Sequence, residues 1–486
     1  MSSEQAKQAS AIELQQNDDT VHGKYNQNET NAEQDAMFQN ADEQNHPHGI
    51  KLVVIVGSLA ASVFLVALDK TIITTVIPKI TDDFHSINDI GWYGSAYFIT
   101  FAAFQLVFGK LFSFYSIKYV FLSSVVIFEV GSLICATALT SSTFIIGRAF
   151  AGLGSAGINA GFIIAKKTLT TWQQKLGQID ILGTSILVPG VVCLLLALQW
   201  GGSVYKWNTA PPIALLTAAG VAGLAFIIIQ VWKQESATVP PRIIKQRSVA
   251  CSACYVFHAG GALNVIQYFI PIWFQVIQGV TAFDSGTRIL PTTLGTVIFS
   301  LIAGIGVAKS GYYTPFMILG ATLLLTGASL ITTWQVSSST AQWIGYQLIF
   351  SAGAGLGIQQ SHTAAQTVLA FADVPVGAVI MIFAQILGGA VWLSVAQNVL
   401  TSQLLKGLVN IVPSLDPKLV LDKGATGFRD TVGLEFLDGV LKAYNFALTR
   451  TIYCGVALAA AALISSMGME WRSIKSIKKA SRSETS

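Results

Sequence analysis

From Leu52 onward the chain alternates long apolar runs with short polar breaks, and about twelve of the runs approach the ~20 residues that cross a bilayer as a helix. They lie near residues 52–76, 92–112, 119–138, 143–165, 181–198, 213–231, 249–274, 289–308, 314–333, 342–361, 376–400 and 446–469. Residues 1–50 are different: rich in Gln, Asn, Glu, Asp and Ser, they cannot offset their ordering entropy and are expected to be disordered. That tail holds no apolar core followed by a small-residue cleavage site, so it does not read as a signal peptide, and the first run is expected to stay as an anchor. The pattern predicts an all-α membrane protein.

Composition strengthens this reading. A 486-residue chain that is 52% hydrophobic and 11% charged, with a mean hydropathy of +0.58, carries more apolar surface than one soluble core can hide. The net charge of +4 says less than the placement of the basic residues. With the N-terminus inside, Lys110 and Lys118, then Lys166, Lys167 and Lys175, then Lys233, Arg242, Lys245 and Arg247, and finally Arg472, Lys475, Lys478, Lys479 and Arg482 all fall on the cytoplasmic side. Both termini are therefore expected in the cytoplasm. The expected organisation is a tail (1–50), a partial amino-terminal membrane half (51–165), a linker with two spans (166–248), a carboxy-terminal half (249–469) with an outer loop at 402–445, and a basic tail (470–486).

Several chemistries find no support. There is no Walker A loop, no basic footprint for nucleic acid, no nucleophile–base constellation and no metal-ligand cluster, so no cofactor is expected. Gly152-Leu153-Gly154 and Gly353-Ala354-Gly355-Leu356-Gly357 imitate parts of a dinucleotide loop but lie in apolar helices with no preceding strand, where close helix packing explains them better. Cys251 and Cys254 form an isolated C-x-x-C, read as packing thiols like the other three cysteines.

The membrane charges carry the chemistry. A charge within hydrocarbon costs at least ~2.5–3.5 kcal/mol, so Asp69, Glu129 and Arg148 are expected to face a cavity or a partner. Asp69 is either a proton-binding group or a helix-end acid paired with Lys70 or a neighbouring helix. Arg148 either finds a carboxylate, carbonyls or water inside the bundle or snorkels to the outer interface, and Glu129 is a candidate partner for it across adjacent helices. His258 and His362 read as hydrogen-bonded packing residues. Gln105, Gln267, Trp273, Gln275 and Gln385 are candidate cavity residues, and neutral hydrogen-bonding groups among aromatic rings suit amphipathic organic molecules. Ordinary helix packing is the competing account of the same side chains.

Three strings carry a resemblance: Leu68-Asp69-Lys70-Thr71-Ile72, the loop from Gly109-Lys110-Leu111 to Ile117-Lys118-Tyr119-Val120, and Gly147-Arg148-Ala149-Phe150-Ala151-Gly152-Leu153-Gly154-Ser155-Ala156-Gly157. With Asp180-Ile181-Leu182-Gly183, Leu195-Leu196-Ala197-Leu198-Gln199-Trp200-Gly201-Gly202, Pro271-Ile272-Trp273-Phe274-Gln275 and Gly424-Ala425-Thr426-Gly427-Phe428-Arg429, the chain resembles the major facilitator superfamily, and within it the fungal fourteen-helix drug:proton antiporters. The resemblance implies a proton-coupling role for Arg148, a gating hinge at Gly109, Lys110 and Lys118, and a helix-packing motif at Gly147, Gly152, Gly154 and Gly157. The hinge departs from the superfamily pattern, with Ser113 and Tyr115 in the stretch that elsewhere holds an Asp and Arg gate.

A larger departure follows Ala165, where the chain passes directly to what resembles the family's seventh helix. The fifth and sixth helices are absent, which leaves an incomplete amino-terminal half in a bundle of about twelve spans. A skipped exon, a variant without transport activity, and a repacked transporter in which residues 181–231 fill the vacated places are the three accounts. The resemblance implies a monomeric efflux transporter of the plasma membrane, or of a vacuolar or vesicular one, exchanging small amphipathic metabolites, toxins or drugs for protons. The alternative is a non-transporting remnant or sensor.

Overall fold

The computed structural model describes residues 50–84, 86, 89–163, 180–202, 204–234, 237–370, 373–417, 420 and 426–475. The expected disordered tail, Lys166, Lys167 and Lys175, and the basic residues beyond Lys475 lie outside them. The chain divides at Ala61: of the first unit only the helical stretch 50–61 is described, and everything below concerns the second, Ser62–Ser486.

Each apolar run forms a helix. In chain order these are α1 (Ile50–Asp83), α2 (Ile90–Phe114), α3 (Ile117–Ala136), α4 (Ser141–Ile163), α5 (Ile181–Trp200), α6 (Ala210–Lys233), short α7 (Pro241–Ile244), α8 (Arg247–Gln278), short α9 (Ala282–Arg288), α10 (Leu290–Ser310), α11 (Thr314–Ile331), α12 (Thr340–Val368), α13 (Val374–Ile411), short α14 (Phe428–Thr431) and α15 (Leu434–Met467). Nine candidate spans among the described residues are long and apolar enough to cross a membrane by themselves. Helices α2, α4 and α12 fall short because their buried faces hold small and polar residues; α12 buries Gln347, Ser351, Gln360 and Ser361. Helices α13 and α15 also run well into the stretch 402–445 that hydropathy reads as loop, because their amphipathic ends continue past the apolar segments.

Close approach of backbones ties the amino-terminal helices together. A Cβ on Gly154 would lie 2.7 Å from the Cα of Phe128, one on Gly147 2.8 Å from the Cys135 amide, and one on Gly157 2.6 Å from Ser124 Cβ, so α4 meets α3 along its glycines. Gly152 faces α2 instead, against the Tyr97 carbonyl, where Thr100 Oγ1 donates to the Ala149 carbonyl at 2.8 Å. In the carboxy-terminal half, Trp273 and Trp334 pack with their rings tilted at 50° and centroids 4.8 Å apart, and Gly320 of α11 approaches Gly353 and Gly357 of α12.

Helices α5 and α6 pair with each other, and α5 also packs on α2 and α13. Ser95 donates to Gln199 at 3.1 Å, and Asn398 donates to the Leu198 carbonyl at 2.5 Å. Asp180, capping α5, fixes the other end of the pair. It accepts from the amides of Gly183 (2.8 Å) and Thr238 (3.2 Å), the Thr238 hydroxyl (3.0 Å) and Gln230 (2.7 Å), and pairs with Lys233 at 3.1 Å. On α3, Tyr119, Leu122, Val126, Val130 and Leu133 remain exposed.

Candidate functional site

Two consecutive side chains of α1 reach different partners. Asp69 Oδ2 accepts from Arg148 Nη1 at 2.7 Å, while Arg148 Nε donates to the Tyr93 carbonyl at 3.1 Å and the guanidinium lies 4.6 Å from the Tyr97 ring centroid. The ammonium of Lys70 lies over the rings of Phe101 (4.6 Å), Tyr97 (5.4 Å) and Phe98 (5.7 Å). The Arg148 side chain is 3% exposed and that of Asp69 18%, so the pair is shielded from solvent yet its acid is not sealed. Fixed rings and a backbone carbonyl hold both cations in a setting where an unpaired charge would be costly.

A cavity of about 100 Å³ opens beside this cluster. Lys70, Thr71 and Thr74 of α1, Tyr97 and Phe98 of α2, and Arg148 of α4 line one wall. Asn264, Gln267 and Tyr268 of α8 and Thr293 of α10 line the other, so residues from both sequence halves share the site. Its polar groups are hydroxyls, amides and two cations. Among the described residues no acidic side chain lines it.

The geometry corrects three alternatives. Asp69 lies inside α1 rather than at a helix end, and its partner is not Lys70 but Arg148 of α4, so the pairing with a neighbouring helix stands. Arg148 is buried among α1 and α2 and does not snorkel. Glu129 is exposed on α3, and Arg148 turns toward Asp69 rather than toward it, because the glycine face of α4 that meets α3 is not the face carrying the guanidinium.

The remaining candidates scatter. Gly109 faces Val379 of α13 closely enough that a Cβ would lie 3.3 Å from it; Lys118 is exposed, and the Lys110 side chain lies outside the described residues. Of the cavity candidates only Gln267 lines the cavity. Trp273 is fully buried and donates to Asn445 at 2.7 Å, Gln275 donates to the Thr75 carbonyl and to Ser285, both at 2.8 Å, and Gln385 packs against Gly260. Gln105 is buried in α2 with neither amide atom hydrogen-bonded. Trp273, Gln275 and Gln385 thus turn toward other helices or segments. Sequence reasoning counts Tyr97, Phe98 and Tyr268 among the aromatic rings of a cavity, and they line it; it missed the cage that Tyr97 and Phe98 form with Phe101 over Lys70, although Tyr93, Tyr97 and Phe101 recur at the four-residue spacing that puts them on one helix face.

On the side of the cavity toward the ends of α1 and α8, further contacts tie the halves. Tyr268 donates to the Ile90 carbonyl. Asp82 accepts from the Thr426 hydroxyl and from the amides of Thr426 and Gly427, each at 3.2 Å. Arg429 donates to the carbonyls of Val276 (2.7 Å) and Ile277 (3.1 Å), capping the end of α8. The Thr426-to-Arg429 string thus straps α1 to α8.

The comparisons with known proteins agree with this architecture. The "MFS-type efflux pump MFS1" of Trichophyton rubrum is 44% identical over 92% of this chain and 97% of its own length. The "MFS-type transporter astH" of Aspergillus oryzae is 42% identical over 88% of each chain, and the "Efflux pump aflT" of Aspergillus parasiticus is 38% identical over 90% of this chain and 98% of its own. A bacterial homologue of the human lysosomal transporter Spinster, in an inward-facing, unoccupied conformation, superposes with a TM-score of 0.58 at 13% identity, covering 87% of this chain and 98% of that one. The family model for the Major Facilitator Superfamily matches residues 59–395, and with the multi-span helical bundle and its central charged cavity this places the chain as a member of that superfamily.

Proposed function

We propose that the protein is a membrane efflux transporter that exports small amphipathic organic compounds in exchange for protons, with Asp69 and Arg148 as the coupling centre. The observation that carries the reading is the shielded 2.7 Å ion pair beside a cavity walled by both halves. The names of the fungal relatives, efflux pumps and transporters, support export as its direction. A cavity of about 100 Å³ is far below the roughly 300–1,000 Å³ that holds an organic ligand, which fits a closed stage of an alternating cycle.

In the proposed cycle a proton on Asp69 removes its charge and releases Arg148, so the pair has two arrangements for the proton to choose between. Release of Arg148 loosens α4 from α1, the two helices the pair joins. The unprotonated pair holds them together. The chain acts as a monomer in the plasma membrane, or a vacuolar or vesicular one, with both termini cytoplasmic.

Shortening of the amino-terminal half bears on how well this works. The alignment with the Trichophyton relative extends over 518 positions, more than the 486 of this chain, which supports an internal segment present there and missing here. The α5–α6 pair leans on α2 and α13 while the outward face of α3 stays uncovered, which argues against these helices filling vacated places. The chain is therefore expected to insert and to export slowly. In proteoliposomes with an imposed proton gradient, residual export by this chain should rise when the two family helices are restored between Ala165 and Lys175. Equal rates would favour the repacked account, and no gradient-dependent export by either protein would overturn the reading.

A further inference from the structure

We infer that the cavity takes organic anions, and that Lys70 is the residue that selects them. This deepens the efflux reading and rests on it.

The argument starts from charge. Asp69, Lys70 and Arg148 bring two cations and one carboxylate into one apolar setting. Arg148 already holds the carboxylate at 2.7 Å, leaving Lys70 without an anion of its own. Lys70 makes ring contacts with Phe101, Tyr97 and Phe98 and no hydrogen bond among the described residues, although an ammonium carries three donors. Cation–π contact moderates the cost of this charge but leaves those donors unused.

The surroundings decide what can use them. Lys70 and Arg148 both line the cavity and, among the described residues, no Asp or Glu does, so the space beside the ammonium has a positive potential that repels organic cations. Tyr97, Phe98 and Tyr268 provide faces for an aromatic or alicyclic body, and Asn264, Gln267 and Thr293 offer neutral hydrogen bonds on the opposite wall. The matching ligand is an amphipathic acid, carboxylate or phenolate, whose anionic group meets Lys70 while its apolar body lies on the rings. Binding then makes the cluster neutral, the form that crosses apolar surroundings at least cost. The empty cluster keeps a net positive charge, and an inside-negative membrane potential favours its return.

The test uses three naphthalene probes of similar shape in proteoliposomes of the full chain: 2-naphthoate, its methyl ester and (2-naphthylmethyl)trimethylammonium. Equilibrium binding and counterflow, neither of which requires proton coupling, are measured for the wild type, Lys70→Gln and Lys70→Arg. The wild type should bind the carboxylate about tenfold more tightly than the ester and should reject the cation. Lys70→Gln should erase the preference for acid over ester while still binding the ester, which shows that it is folded, and Lys70→Arg should restore the preference. Equal binding of acid and ester by the wild type, binding of the cation, or a preference that persists in Lys70→Gln overturns the anion assignment while leaving efflux intact. Binding of none of the probes also overturns it, whereas binding without counterflow counts against the efflux reading alone.

Discussion

Two carboxylates, half-buried Asp69 and buried Asp180, belong to the same helical bundle and differ in how completely they are satisfied. Asp180 accepts four hydrogen bonds and pairs with Lys233, and its side chain is fully enclosed. Asp69 has one partner, Arg148, and retains access to its surroundings. A carboxylate held by many fixed donors has no second arrangement to adopt. One held by a single cation beside a cavity does, and the difference separates a fastener from a switch.

The comparison can be broken by removing each partner in turn. Arg148→Ala should have the largest effect: gradient-driven export falls at least about tenfold, equivalent to ~1.4 kcal/mol on the transport barrier, with insertion retained. Normal export by a correctly inserted Arg148→Ala protein would deny the pair any coupling role. Asp180→Asn should act on stability instead. Loss of the charge from four donors and Lys233 costs about 1–3 kcal/mol, read as a lower unfolding temperature in detergent, while export per folded molecule stays near wild type. A pronounced export defect at unchanged stability would place Asp180 in the working machinery.

Smaller effects sharpen the picture. Thr426→Val removes the hydroxyl that Asp82 accepts from but keeps the two amides, so a change of about 1 kcal/mol is expected in the strap. The unfolding temperature in detergent should fall modestly; an unchanged value would mean that the amides alone hold the strap.

Acid should separate wild type from Asp180→Asn. Burial pushes the Asp180 carboxyl up, but the bonds from Gln230, Gly183, Lys233 and Thr238 outweigh it and hold the group at about 2. Its folded value lies below the ordinary ~3.9, so its stabilisation is complete above that value and fades as pH falls through the folded one. The gap in unfolding temperature between wild type and Asp180→Asn should therefore narrow between about pH 4 and pH 2. A gap that does not change over this window would contradict the role assigned to the charge.

The helices were legible because apolar length is a local property. Each of the twelve runs lies within or overlaps one long helix, and the misreading at 402–445 arose where α13 and α15 continue as amphipathic helices, which hydropathy treats as loop. The site was half legible. Asp69 and Arg148 stand out because any membrane charge is costly, yet their pairing with each other depends on how α1 crosses α4, and Glu129 looked equally suitable from α3. The glutamines were misleading for a related reason: Gln275 and Gln385 are polar in apolar runs, but side-chain direction, fixed by packing, turns them to neighbouring helices. Lys70 was read only as a candidate partner of Asp69. Only the fold brings it over Phe101.

The most direct test of the coupling centre is gradient-driven export by Asp69→Asn and Asp180→Asn proteins reconstituted at equal folded amounts, with a fluorescent amphipathic substrate and an imposed proton gradient. Asp69→Asn should lose the gradient-dependent component while still exchanging substrate across the membrane without a gradient, and Asp180→Asn should keep both. Gradient-dependent export at the wild-type rate by Asp69→Asn would contradict the assignment of Asp69 as the group that binds the proton.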